Sequence, residues 1–275
     1  MGRLETYGRD LHEETLAYLA RRPYDNVFVS WLIATGQATR GDVLVWRDAS
    51  KAIAGVCYYG VQIVPFADDD AGIDAFAERA RRYRGARMIV GPRHTIERFW
   101  PRVRDAMDAP TAIRESQPVY ALASRAALAN VGEATGDVGR ATRDELDEIV
   151  PQSAAMIAGE LGGDPSRASV EFRARTGRII DARWSWRYRV DGRLAFLCNV
   201  GSATPFTAQL QGVWTPPEMR GQGHAARGLA AISRALLDEF PTLSLYVNDF
   251  NTSAIALYER VGFTRVGEFR TILFG

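Results

Sequence analysis

In the second half of the chain the spacing of apolar residues changes period several times. Trp184, Trp186, Tyr188 and Val190 alternate with Ser185, Arg187 and Arg189, the two-residue repeat of a half-buried strand. Asp191-Gly192 follows as a hairpin turn, and RLAFLCNV and TAQLQGVW read as the next two strands. Beyond a glycine-rich turn, Leu229, Ile232, Leu236 and Phe240 sit three or four apart and so share one helical face, which Pro241 closes. Leu243, Leu245 and Val247 alternate as another strand. Asn251, Thr252 or Ser253 caps a short helix carrying Ala254, Ile255, Leu257 and Tyr258, with Gly262 at its end and a last strand from about Thr264 to Phe274. Upstream, Thr142 and Glu145 form a capping-box pattern for a helix that starts near Arg143 and is interrupted at Pro151, and a second helix covers Ser169 to Asp181.

The first half follows a similar alternation. Strands are predicted near Val43–Trp46, Ala52–Tyr59 and Met88–Val90, and helices near Leu11–Ala20, Ala71–Tyr83 and Thr95–Met107. It contains no comparable glycine-rich turn. A polar, Ala/Gly-rich passage, SRAALANVGEATGD, separates the halves, which sets the expected domains at 1–130 and 131–275. Strands alternating with helices predict an α/β (α+β) fold, a mixed sheet with helices on its faces.

Composition narrows the function classes. The chain has 275 residues, 47% of them hydrophobic, enough for a substantial core. Its 34 basic residues nearly balance its 33 acidic ones, so no overall positive field argues for nucleic acid or an anionic membrane. Cys57 and Cys198 lie far apart inside apolar runs and read as buried thiols, with no metal site expected. The polar start MGRLETYGRD lacks a signal-peptide core, no stretch has the apolar length of a membrane span, and cytoplasm is the expected compartment.

Candidate chemistry centres on WTPPEMRGQGHAARG, residues 214–228. A helix N-terminus leaves backbone N–H groups unpaired, and glycines there let a phosphate approach them. A triphosphate-binding loop needs Lys and Ser/Thr after its last glycine, but Leu229 and Ala230 follow Gly228. Gly221, Gly223 and Ala226 satisfy the dinucleotide pattern, and Asp249 lies beyond the next strand. Against a nicotinamide-dependent oxidoreductase stand the TPPEMR spacer between strand and glycines and the short chain remaining, since that fold turns directly into the glycines and needs two βαβαβ halves.

The third reading starts from R-x-x-G-x-A, met by Arg220, Gly223 and Ala225 after a strand ending QGVW. Here the sequence resembles the GNAT superfamily of acyl-coenzyme A-dependent N-acyltransferases. The resemblance extends through LYVNDFNTSAIALYERVGF, where Asn251, Ala254, Tyr258, Gly262 and Phe263 match the second landmark of the superfamily. It implies a mostly antiparallel GNAT-type sheet over about Val138–Phe274. With landmarks in one half only, the chain also resembles tandem GNAT proteins, whose N-terminal copy is degenerate. Only one strand's length follows Phe263, so Pro118–Ser124 is expected to complete the sheet of the other half.

The resemblance implies acetyl-coenzyme A as co-substrate, with the pantetheine arm along the strand edge Leu210, Gln211, Gly212, Val213 and Trp214. Backbone N–H groups of Gly221, Gln222, Gly223, His224 and Ala225 would hold the pyrophosphate beside Arg220. Asn251 and Tyr258 stand seven residues apart, two helical turns, so both look to one side. The implied function is N-acetyl transfer to a small-molecule or peptide amine by direct attack, with a backbone N–H near Val213 for the oxyanion and Tyr258 as general acid. No carboxylate stands on Thr207–Gln211, where many members carry a base; Glu160, Glu171, Asp249 and Glu268 remain, and His224 reads as structural. Trp184 and Trp186 lie where the superfamily builds its acceptor wall, and Glu160 and Asp164 suit a cationic amine. A catalytically silent acyl-coenzyme A sensor is the alternative from another class.

Overall fold

The computed structural model describes residues 2–39, 41–161 and 169–275. The chain divides into two compact units that interleave in sequence: residues 1–120, 246–252 and 265–275 form unit 1, and residues 121–245 and 253–264 form unit 2.

Unit 1 opens with β1 (Arg3–Thr6), α1 (His12–Ala20) and α2 (Val27–Ala34). The antiparallel strands β2 (Val43–Arg47), β3 (Ile53–Tyr59) and β4 (Gln62–Ala67) follow. Next come α3 (Asp70–Ala80), β5 (Met88–Pro92), α4 (Arg93–Val103) and β6 (Ala112–Leu122). Its strand order is β1-β2-β3-β4-β5-β12-β6, where β12 is the last strand of the chain, Thr264–Leu273, paired antiparallel with β5 through Phe269↔Pro92 to Leu273↔Met88. The strands are apolar on both faces because both are covered. Val43, Val45, Val64 and Val90 pack with Leu19, Val29 and Ile33 of α1 and α2, while Leu44, Trp46, Ile63 and Ile89 pack with Ile73, Phe76, Ile96 and Phe99 of α3 and α4.

Unit 2 comprises β7 (Asp137–Arg140), α5 (Leu146–Leu161), α6 (Val170–Asp181), β8 (Ser185–Val190), β9 (Arg193–Ala203), β10 (Ala208–Trp214), α7 (His224–Leu236), β11 (Leu243–Tyr246) and α8 (Thr252–Val261). Strands β7 to β10 are antiparallel, and β11 joins β10 in parallel. Leu146, Ile149 and Val150 of α5 and Ile180 of α6 pack with Leu197 on one face of this sheet. On the other face α7 approaches so closely that a Cβ on Gly228 would lie 2.9 Å from the Phe196 ring and 3.0 Å from that of Tyr188. Antiparallel β7–β10 do not make the two βαβαβ halves of a dinucleotide fold.

One expectation changes. Pro151 does not interrupt α5; the helix continues through it, because burial of Leu146, Ile149, Val150 and Ala154 outweighs one missing backbone bond. Pro118 lies in β6, which stands beside β12 in the sheet, and the backbone N–H groups of Val247 and Asp249 donate to the carbonyls of Pro118 and Ser116 at 3.2 Å each, so this segment pairs with residues from the second half of the chain as expected. Segments 246–252 and 265–275 of the second half are grouped with unit 1, and residues 121–124 with unit 2.

Candidate functional site

The strand edge and the glycine turn both belong to unit 2. Parallel pairing of β10 with β11 comprises Ala208↔Leu243 and Gln209↔Ser244, after which β10 runs on to Trp214. The ladder to β9 is itself broken. Between Gln211↔Asn199 and Trp214↔Leu197, β10 advances three residues against two on β9, and Gly212 takes up the extra residue at φ 64°. A bulge of this kind leaves backbone outside the ladder, so Gly212 and Val213 have no register partner on β9. The bulge faces α5 and β9: a Cβ on Gly212 would lie 2.8 Å from Asn199 Nδ2 and 3.6 Å from Met156 Cε.

From Trp214 the TPPEMR segment is pinned by the buried Pro216 and Met219, with Met219 N donating to Pro216 O at 2.9 Å. Gly221 and Gly223 then adopt φ 73° and 76°, a left-handed conformation that a side chain resists, and Gly223 is the N-cap of α7. A Cβ on Gly221 would meet nothing within 4 Å. The turn is thus an exposed, glycine-built approach to the N-terminus of a 13-residue helix, which is the donor set an anionic phosphate needs.

Side chains brace this turn. Arg220 is exposed, its guanidinium carbon 4.6 Å from the Trp214 ring centroid and its Nε donating to Thr215 O at 3.0 Å. Gln222 Nε2 donates to Glu218 O at 3.2 Å. Arg227, which the motif does not include, reaches back over the turn and donates through Nη2 to Gln222 O at 2.7 Å and contacts His224 Nδ1 at 3.2 Å. His224 is buried, its Nε2 lying 3.3 Å from Gln222 Oε1 and its ring edge-on to Tyr188. Burial, then the neighbouring Arg227 charge, lower its pKa, against a smaller opposing pull from Asp191. Both ring nitrogens are thus engaged within the turn. Ala225 follows in the first turn of α7.

Tyr258 sits in the α8 portion of unit 2, 6% exposed, with its ring 6.1 Å from Phe263. Gly262 sets the helix end: its φ is 101°, a Cβ there would lie 2.7 Å from Ala127 O, and Phe263 N donates to Tyr258 O at 3.0 Å. Asn251 falls in the segment grouped with unit 1, its N–H donating to Asn248 O at 2.9 Å.

The acidic residues considered for a base are dispersed. The side chain of Glu160, and Asp164 altogether, lie outside the described residues. Glu171 and Asp249 are exposed. Glu268 belongs to unit 1 and is held ionised by Ser116, Arg93 and Arg265, with its pKa lowered by those partners. Trp184 is half-buried, but Trp186 is core: it shares the strand face of Tyr188, under α7, with Arg140 stacked 4.6 Å from its ring centroid. The alternate positions Arg187 and Arg189 face Glu145 at 3.0 and 2.9 Å. What actually borders the β10 bulge is Gln152, Met156 and Asn199. Gln152 and Met156 are spaced i, i+4 on α5, a pairing that exists only because the helix runs through Pro151.

Unit 1 has the matching strand-helix-strand with different electrostatics. Its β4 and β5 pair in parallel through Gln62↔Met88 and Ile63↔Ile89. The N-terminus of α3 carries Asp68, Asp69 and Asp70. Asp69 caps it, accepting from Gly72 N at 2.6 Å and from Trp46 Nε1 at 3.3 Å. A carboxylate thus already takes one of the backbone donors an external anion would use. Among the described residues, no group of three or more His, Cys, Asp or Glu could hold a metal ion, and no helix is long and apolar enough to cross a membrane.

Two family profiles match: "Domain of unknown function (DUF4081)" over residues 41–149 and "FR47-like protein" over residues 191–271. No curated protein sequence matches the chain. Among solved structures, an "Acetyltransferase from GNAT family" of Colwellia psychrerythraea is similar over 99% of this chain and 100% of its own, at 15% identity and TM-score 0.61. A GCN5-related N-acetyltransferase of Sphaerobacter thermophilus covers 98% and 94% at 12% identity and TM-score 0.59. A "Tandem GNAT protein from the clavulanic acid biosynthesis pathway" covers 100% and 99% at 13% identity and TM-score 0.56.

Proposed function

Taking as premise that the chain has the GNAT fold in two halves, we propose that it is an acyl-coenzyme A-dependent N-acyltransferase, and specifically an N-acetyltransferase for a small-molecule or peptide amine. The observation that carries this is the parting of β10 from β11 after two residue pairs, directly ahead of the left-handed Gly221/Gly223 turn and α7. A phosphate-bearing chain needs both features, an anion seat and an open strand edge leading from it.

Acetyl-coenzyme A supplies the activated thioester. In this reading the N–H groups of Gly221 to Ala225 bind the pyrophosphate, with Arg220 beside them. The edge Leu210–Trp214 takes the pantetheine arm. The amine would attack in its neutral form and lose its surplus proton to solvent, a backbone N–H at the Gly212–Val213 bulge would stabilise the oxyanion, and the Tyr258 hydroxyl would give its proton to the departing thiolate and be reprotonated from solvent. The N-terminal half, about residues 1–130, is a degenerate copy in which Asp69 fills the anion seat.

A silent acyl-coenzyme A sensor has one observation in its favour: Glu171 and Asp249 are exposed, and Glu268 is neutralised by arginines, so no described acid among the expected bases is poised for proton abstraction. Coenzyme A release across an amine panel separates the two readings. Turnover by the native chain, reduced by about two orders of magnitude in Tyr258→Phe as expected for a lost general acid, supports the enzyme; tight cofactor binding with no turnover on any amine supports the sensor.

A further inference from the structure

Trp214, the last residue of β10, is held from three sides within unit 2. Its indole Nε1 donates to Gln152 Oε1 of α5 at 2.9 Å. Its ring packs against the cluster that includes Leu146, Val150 and Leu197. On its outer face lies Arg220, the residue that opens the glycine turn, its own Nε fixed to Thr215 O. One helical turn past Gln152, Met156 approaches the Gly212 bulge, so α5 meets β10 on both sides of the backbone assigned to the oxyanion.

Resting on the acyl-coenzyme A reading, we propose that Trp214 is a positioning residue coupling the cofactor turn to α5. The stack orients the guanidinium plane and leaves its Nη groups for a phosphate. When a phosphate immobilises Arg220, the aromatic beneath it is immobilised too, and the Nε1 bond carries that order to Gln152 and thence to the face of α5 over the bulge. The wall beside the reacting centre is then ordered when the cofactor is bound. Because the stack and the indole bond are different interactions, substitutions can separate them: Trp214→Phe keeps a ring under Arg220 but removes the N–H, whereas Gln152→Met removes the acceptor and leaves Trp214 intact.

Hydrogen exchange of the full chain, with and without saturating coenzyme A, reads the coupling directly. The native chain is expected to slow exchange several-fold both in the turn, residues 220–227, and in α5, residues 146–159. Gln152→Met is expected to keep the turn protection and lose that of α5, and Trp214→Phe to lose that of α5. Undiminished α5 protection in Gln152→Met, or a native chain whose turn is protected while α5 is unaffected, would overturn the coupling yet leave the acyl-coenzyme A reading intact. Absence of coenzyme A binding and of turn protection in the native chain would overturn both. Gln152→Met carries the test by itself should Trp214→Phe fail to fold.

Discussion

Three glycines show how differently one residue type serves the site. Gly221 and Gly223 take left-handed backbone in an open turn, and Gly221 has no neighbour for an added Cβ. Gly221→Ala is therefore expected to cost only conformational strain, about 1 kcal/mol. Gly262 combines φ 101° with a carbonyl 2.7 Å from its virtual Cβ, so Gly262→Ala adds overpacking and is expected to cost about 2–4 kcal/mol. Urea midpoints at constant m-value give both numbers, and equal losses would contradict the contact argument. His224 supplies a pH dependence with a definite sign. Its folded pKa is depressed by burial and Arg227, so its contribution is present above the unfolded value of about 6.5 and is lost as pH falls below it. Native stability should decline between about pH 7 and pH 5 more steeply than that of His224→Gln.

At the scale of elements, legibility followed periodicity. Strands β8 to β10 and helices α6 to α8 stand close to where alternation, turn residues and caps predict them, Ser169 accepting from Phe172 N as the N-cap of α6. The misses have physical causes. The α2 sequence VFVSWLIA is apolar on all sides, so it carries no helical period. In β4 a proline, Pro65, stands inside a paired strand, the position where proline argues against one. In α5 packing overrides Pro151. The left-handed glycine turn was legible because its signal is local in sequence, whereas Gln152, Met156 and Asn199 come to the candidate site through the bulge and the helix packing, neither of which has a motif. Glu145 links caps to packing: it closes the capping box with Thr142 and accepts from Arg187 and Arg189. Glu145→Ala should lower stability by about 1–3 kcal/mol, measured by denaturant unfolding, while a change below a few tenths would show the network to be solvent-screened.

At the scale of the whole molecule, the two units differ at the helix that the proposed function uses. Both contain a parallel strand-helix-strand, but α7 opens on glycines and α3 opens on aspartates. The exchange of segments 246–252 and 265–275 into unit 1 has no sequence signature, because a strand's apolar alternation specifies a face to bury and not which sheet buries it. The measurement that tests the central claim most directly is calorimetric titration of the full chain with coenzyme A and, separately, with NAD. The expected result is one coenzyme A bound per chain, weakened when a side chain is forced into the turn by Gly221→Val, with no heat from NAD. Binding of NAD without coenzyme A, or coenzyme A binding indifferent to Gly221→Val, would contradict the assignment of the turn.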